Sequence, residues 1–339
     1  MALLAAQNPT LLDLAQVLGP DDKIAAIIEI LNQTNEILDD MVVIEGNLLT
    51  GHQTTVRTGI PAPTWRKLYG GVQPTKSTSA KVVDSCGMLE NYAEVDKALA
   101  DLNGNTAAFR LSENRPILEG FNQEVAQSLF YANEDTEPEA FTGLAPRFNT
   151  SVLPPTAGGA ENGQNVLKAG GSQSDNTSVW LVVWGENTVH GIYPKGSRGG
   201  FQMNDKGQVT IENVDGLGGR MEAYRTHYRW DIGLSVRDWR YIVRIANIDL
   251  SDLTKNAATG ADLIDLMTQA LELVQSLNMG RPAFYANRTV KSFLRRQIAN
   301  RTVQSTITMD TVAGKHVLTF DGVPVRRCDA LVNNEALVP

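Results

Sequence analysis

Four histidines and two cysteines are the side chains best suited to metal binding or nucleophilic attack, and their spacing favours neither. His52, His190, His227 and His316 lie far apart in the sequence. None stands three or four residues from another, the spacing that puts two imidazoles on one helix face toward a zinc ion, and none adjoins a carboxylate cluster. Each reads as a surface or strand histidine. Cys86 and Cys328 have no CxxC neighbour, so reduced thiols are expected in place of a disulfide framework or a cysteine-rich metal site. Cys86, in DSCGML, has a weak claim as a nucleophile, because no histidine lies in a recognisable partner motif, and no GxSxG elbow occurs. YPKGSRGG and VDGLGGRME hold glycines and a basic residue, yet neither matches a phosphate loop or a dinucleotide fingerprint. Both read as turns. No catalytic, cofactor-binding or metal-ligating residue is assigned, and no cofactor is expected.

Arginine is the remaining reactive type. The segments Arg220 to Arg244 and Arg281 to Arg301 are rich in it, and nucleic acid is one reading of such segments. The first interleaves Glu222, Asp231 and Asp238 on a strand pattern, which favours a protein interface, where the guanidinium fork pairs with carboxylates. The whole chain also argues against a DNA-coating role. Its formal net charge is -8, and residues 1 to 50 carry eight acids against Lys23 alone, 1 - 8 = -7. A polyanion is not gripped tightly by such a chain without a separate basic face.

These residues sit on a soluble, folded chain of mixed elements. With 42% hydrophobic and 20% charged residues, neither wholesale disorder nor a fibrous repeat fits. The apolar start, MALLAAQNPTLLDLAQVLG, lacks a basic region and is broken by Asn8, Pro9 and Asp13, against a signal peptide. No apolar run reaches the roughly 18 residues of a membrane span. The sequons at Asn149, Asn176, Asn287 and Asn300 therefore count as chance.

From Pro20 to Asp40 the spacing puts Ile24, Ile27, Ile28, Leu31 and Leu38 on one helical face, to pack on its own domain or on a neighbouring chain. Residues 52 to 96 are two Thr- and Val-rich runs around GGVQP, a long two-stranded excursion with a glycine turn. An isolated hairpin is marginal in water, so another subunit is a natural support. Ser112 to Asn133 is a helix with Ile117, Phe121, Val125 and Leu129 at four-residue intervals and Pro116 in its first turn. EDTEPEAFTGLAPRFN is turn-rich, and the Gly, Asn and Ser content from Ser151 to Ser178 marks a loop or lobe boundary.

Residues 179 to 250 read as strands. Their apolar phase moves by one residue across Arg237 and Asp238, as at a bulge or tight turn. A helix opens at Thr259 with Asp262 at the N3 position, and Gly280 falls shortly past its end. RPAFYANRTVKSFLRRQ gives a strand and a helix. LTFDGVPVRRCDALV reads as a strand broken by a Gly-Val-Pro turn, then a second strand ending in two arginines and a cysteine.

In this order of elements, and in AFYANRTVKSFLRRQ and LTFDGVPVRRCDAL in particular, the chain resembles the major capsid proteins of tailed double-stranded DNA bacteriophages. The resemblance implies an α+β chain with the tailed-phage capsid (Johnson) fold. Its parts are an N-terminal arm (1–48), an extended hairpin loop (49–84) lying over a neighbouring subunit, and a peripheral domain with a long spine helix (85–175). A β-rich platform (176–255) and an axial α/β domain (256–339) follow. In most members the long β segment follows the Gly-x-Pro-Val strand; here it precedes it, as in a branch of short-tailed phages with rearranged strand order. No Lys–Asn crosslink is carried over, since Lys67, Lys76 and Lys81 have no identifiable partner.

The implied function is a virion shell subunit, assembled in the bacterial host cytoplasm into pentamers and hexamers of an icosahedral head. It would enclose DNA without tight specific binding and without a membrane, with scaffold, portal and decoration proteins as further partners. The alternatives are a nanocompartment shell of the same fold and an enzyme with an unrecognised site.

Overall fold

The computed structural model describes residues 33–102, 106–172, 174–213, 217–251, 253, 262–300, 307–312 and 315–339. The expected arm helix from Pro20, up to residue 32, and the opening of the later helix at Thr259 lie outside them. Within the expected helix, residues 33–36 are not helical, because Asn35 forms an isolated β-bridge with Cys328, and the described helical turn is Ile37–Asp40; the side chain it buries fully is Ile37, with Leu38 packed at the margin of the core.

One sheet organises the chain. Its strands are β1 (Val43–Glu45), β2 (Gly51–Gly59), β3 (Thr78–Asp96), β4 (Val166–Lys168), β5 (Asn176–Trp184), β6 (Val189–Tyr193) and β7 (Phe201–Glu212). They continue with β8 (Arg220–Val236), β9 (Ile242–Asp249), β10 (Arg281–Ala286), β11 (Ile307–Val312), β12 (Lys315–Phe320) and β13 (Val323–Arg327). The main path runs β11-β12-β13-β10-β5-β6-β8-β3-β2. β10 joins the two halves, antiparallel to β5 and parallel to β13. The long β segment and the later Gly-x-Pro-Val strand thus share one sheet despite their order in the chain.

The apolar run NTSVWLVVW makes β5 the spine of this sheet, because both its faces are buried. Side chains alternate along a strand. Trp180, Val182 and Trp184 therefore meet Val125, Leu129, Phe130, Leu144 and Phe148 on one face. Val179, Leu181 and Val183 meet Ile264, Met267, Val290, Phe293 and Leu294 on the other. Two helical layers thus close two cores over one sheet, the long helix Thr106–Tyr131 on one side and the helices Leu263–Leu273 and Arg288–Asn300 on the other.

Several boundaries differ from the sequence reading, each for a local reason. The long helix starts by Thr106, so Pro116 lies in its interior and not in the first turn. Its ring removes a backbone donor there, which an exposed position tolerates at a cost. Asp262 is the N-cap of its helix, not N3: its carboxylate accepts from the Asp265 amide at 3.3 Å. The turn in LTFDGVPVRRCDALV is Asp321-Gly322, both at positive φ (47° and 79°), and Val323 and Pro324 already belong to β13. That two-residue turn matches strand twist, and it places Pro324 in the strand. The loop assigned from Ser151 to Ser178 contains β4, which pairs in parallel with β9. The phase change at Arg237 and Asp238 is a chain crossing. β8 ends, a short 3-10 turn covers Trp239–Tyr241, and β9 joins different neighbours.

Candidate assembly interface

The hairpin of β2 and β3 is two-stranded only near its root. Pairing runs from Gly51↔Ser85 to Gly59↔Thr78, and residues 60 to 77 carry no strand. The expected GGVQP turn is replaced by one at Lys67–Gly70, closed by the Gly70 amide on the Lys67 carbonyl at 3.0 Å, with Tyr69 at φ 62°. β3 then continues without a break through residue 84 into a long antiparallel pairing with β8, from Cys86↔Gly233 to Asp96↔Ala223. The excursion is an overhang of the main sheet.

Its root is pinned by side chains that the sheet geometry brings together. A Cβ on Gly51 would sit 2.0 Å from the Asp84 carbonyl oxygen, so only glycine fits this crossing. The buried Asp84 carboxylate pairs with Arg147 at 2.8 Å and accepts from the Ser235 hydroxyl at 2.8 Å. Asn47 clamps the other strand: its Nδ2 donates to the Gln53 carbonyl and its Oδ1 accepts from the Gln53 amide, both at 2.7 Å. His52 packs edge-on against the fully buried His190, ring centroids 5.6 Å apart. Burial first, and then the neighbouring His52, hold the His190 imidazole down at about 4. Two histidines that sequence spacing kept apart are joined here because β2 packs beside β6.

Beyond the root the character reverses. Ile60, Trp65, Leu68 and Tyr69 expose their side chains, Trp65 at 101% and Tyr69 at 96% of full accessibility. Large apolar side chains this open, clustered on one segment, mark a surface meant to be covered.

The remaining sequence candidates resolve into structural roles. Burial and the nearby Asp231 and Asp84 push the Cys86 thiol up to about 12, and burial does the same to Cys328, so neither presents a thiolate near neutral pH. Among the described residues, no group of three or more His, Cys, Asp or Glu side chains is arranged to hold a metal ion. YPKGSRGG links β6 to β7, with Gly196 and Gly200 at φ 79° and 85° and the Tyr193 ring over Gly199. The described part of VDGLGGRME links β7 to β8, with Gly218 at φ 87°. No helix opens after either, which removes the phosphate-loop geometry.

The arginines of the first rich segment are largely spoken for within the chain. Arg220 pairs with Glu212 (3.0 Å), Arg225 with Glu94 (2.6 Å), Arg229 with Asp231 (2.8 Å) and Arg240 with Asp238 (2.7 Å). The interface expected of them is intramolecular.

Two networks had no sequence signal. The first is the buried Arg244–Glu335 pair at 2.8 Å. Arg244 also donates to the Phe148 carbonyl at 2.8 Å and to the Ser178 hydroxyl at 3.1 Å, and its guanidinium lies over Trp180. Tyr131 and Ser178 donate to the Glu335 carboxylate from the other sides. The second answers why two arginines and a cysteine end β13. Arg326 reaches Asp40 at 3.1 Å and Glu36 at 3.6 Å, Arg327 pairs with Asp329, and Cys328 donates to Asn35 Oδ1 at 3.4 Å. Tyr285 adds a bond to Asp40 at 3.0 Å, and burial raises the Asp40 carboxyl above its ordinary range. That end of the chain is the dock for the root of the N-terminal segment. Its neighbour Asn287 caps the following helix through the Val290 amide (2.8 Å) and bonds Thr177 (3.0 Å) and Asn333.

With this geometry in view, known proteins supply a family. A family model described as "Major capsid protein GP7" matches residues 19–339. The chain belongs to that family. A chain in the structure of bacteriophage Epsilon15 is 40% identical over 100% of this chain and 99% of its own, with a TM-score of 0.79. The capsid of bacteriophage JBD30 is 6% identical over 89% of this chain and 92% of its own, TM-score 0.47. The SrpI encapsulin of Synechococcus elongatus PCC 7942 is 10% identical over 66% and 92%, TM-score 0.41. The latter two add nothing to the assignment at those values. No curated protein matches the chain. The capsid protein accordingly has the tailed-phage fold, is the major component of a phage head and resides in the virion. Among its described residues no helix is long and apolar enough to cross a membrane.

Proposed function

We propose that this capsid protein builds an icosahedral head from pentamers and hexamers, held by the area its copies bury against each other and not by any catalytic residue. In this reading residues 1–48 are the N-terminal arm, 49–84 the hairpin laid over a neighbouring subunit, and 85–175 the peripheral domain. Residues 176–255 are the platform, and 256–339 are the axial domain at the capsomer centre. Scaffold, portal and decoration proteins are its further partners. The enclosed DNA is held without tight binding, a role supported by the net charge of -8 and by arginines already paired to carboxylates of their own chain.

The observation that carries this reading is the overhanging hairpin, whose apolar tip its own chain leaves open to water. Stable interfaces bury on the order of 1,600 Å², and a reaching hairpin extends the area available beyond that of a compact face. Deleting residues 55 to 82 should leave a folded, soluble chain that forms no closed particles, read by sedimentation and electron microscopy. Normal particles from the deleted chain would refute the role given to the hairpin.

A further inference from the structure

The hairpin differs from the rest of the chain in charge as well as in exposure. Residues 49 to 84 contain Arg57, Arg66, Lys67, Lys76 and Lys81 against Asp84 alone at the root, a balance of 5 - 1 = +4. The rest of the chain therefore carries -8 - 4 = -12. At the tip, Arg66, Lys67 and Lys76 are exposed beside Trp65, Leu68 and Tyr69, and none of the three has an ion-pair partner among the described residues. A partner for this tip must offer an apolar hollow with acids at its rim.

One cleft of the molecule has that chemistry. It measures about 340 Å³ and lies between β3 and the C-terminal half of the long helix. Its floor is Leu89, Val125, Phe141 and Ile232, with the 66% exposed Met88 at the edge. Glu124, Glu137 and Glu139 line it, all exposed and without an ion-pair partner among the described residues. Another cavity, about 590 Å³ below the hairpin root, is lined by Arg57, Arg147, Arg237 and Arg240 against Glu161 and Asp238, an excess of positive charge that disfavours a basic tip. A hairpin does not fold back into its own acidic cleft either. β3 is continuous from Thr78 past Gly87. The nine steps from Thr78 to Gly87 (87 - 78 = 9) put the start of the tip about 30 Å away, at roughly 3.3 Å per step.

We propose that the basic, apolar hairpin tip of one copy seats in the Glu124/Glu137/Glu139 cleft of a second copy. This rests on the reading of the hairpin as an inter-subunit element and specifies where it lands. Apolar burial of the tip side chains against Met88 and Leu89 provides attraction, and the opposed charges select the register and disfavour the arginine-lined cavity.

Zero-length carbodiimide crosslinking of wild-type particles, followed by peptide mass spectrometry, tests the seat without altering the chain. Lys67 or Lys76 should be joined to Glu124, Glu137 or Glu139, and mixing isotopically light and heavy subunits before assembly should give links between the two labels. Links from these lysines only to other acids, or only within one label, would overturn the proposal. In parallel, Glu124→Lys/Glu137→Lys/Glu139→Lys and Arg66→Glu/Lys67→Glu/Lys76→Glu should each lower particle yield about tenfold or more, while the two sets combined in one chain restore it to within about threefold of wild type. Wild-type yield from either reversed chain, or no recovery on combination, would also overturn it. A wild-type chain that forms no particles would instead refute the shell reading itself, together with the seat.

Discussion

The tail from Asn333 to Pro339 and the hairpin from Leu49 to Asp84 are both segments that leave the body of the sheet, and they end in opposite environments. The tail returns to the core. Glu335 is buried with three donors around it, Asn247 holds Val338 through bonds in both directions (3.0 and 2.9 Å), and Ser151 donates to the Pro339 carbonyl. The hairpin leaves the core and displays an indole at full exposure. One segment is held by its own chain, and the other is left uncovered by it. A shell subunit needs both, because it must fold before it assembles and must still present an uncovered surface once folded.

That contrast is sharpest where a buried charge loses its mate. Glu335→Ala should lower the stability of the monomer by about 3–5 kcal/mol, because Arg244 would remain buried and unpaired, and calorimetric unfolding would register it directly. A loss below about 1 kcal/mol would show that the tail is an ornament and dissolve the comparison. Trp180→Ala, at the centre of the two-faced strand, should cost about 3–5 kcal/mol by emptying a fully buried volume, measured by denaturant titration. Trp65→Ala in the hairpin should change the same titration by no more than about 0.5 kcal/mol while reducing particle yield.

A smaller effect tests the root, where the two regimes meet. His190 titrates near 4 in the folded chain against an ordinary 6.5, so between those values the unfolded chain binds the proton first. Stability should therefore be level above about pH 6.5 and decline as the pH falls toward 4. The decline should be shallower in His190→Gln, compared by unfolding midpoints at pH 7 and pH 5. An equal slope in both proteins would move the acid sensitivity elsewhere. Gly322→Ala, at φ 79°, should cost about 1 kcal/mol through the turn alone, read by denaturant titration, and leave the hairpin tip and particle yield untouched.

Much of the fold was legible because its elements are written in local patterns. The alternation in β8, the four-residue repeat of Phe121, Val125 and Leu129, and the strand and helix of AFYANRTVKSFLRRQ each appear where periodicity puts them. Ends were less legible than middles, since the start at Thr106 overrides a proline that looked like a first-turn residue. The exposed excursion was legible as a long two-stranded hairpin, but not as a particular set of exposed side chains.

What the sequence determined alone was the inventory: apolar strands, amphipathic helices, and a surplus of acid concentrated in the first fifty residues. Only the tertiary structure decided which distant residues became partners. Arg244 and Glu335 are 91 positions apart, and Asn35 and Cys328 are 293. Periodicity reports which face of an element is apolar, because that depends on neighbours within a turn or a strand pair. Pairing across the core depends on how the whole sheet stacks its strands. Partners separated by that route leave no mark on either local stretch.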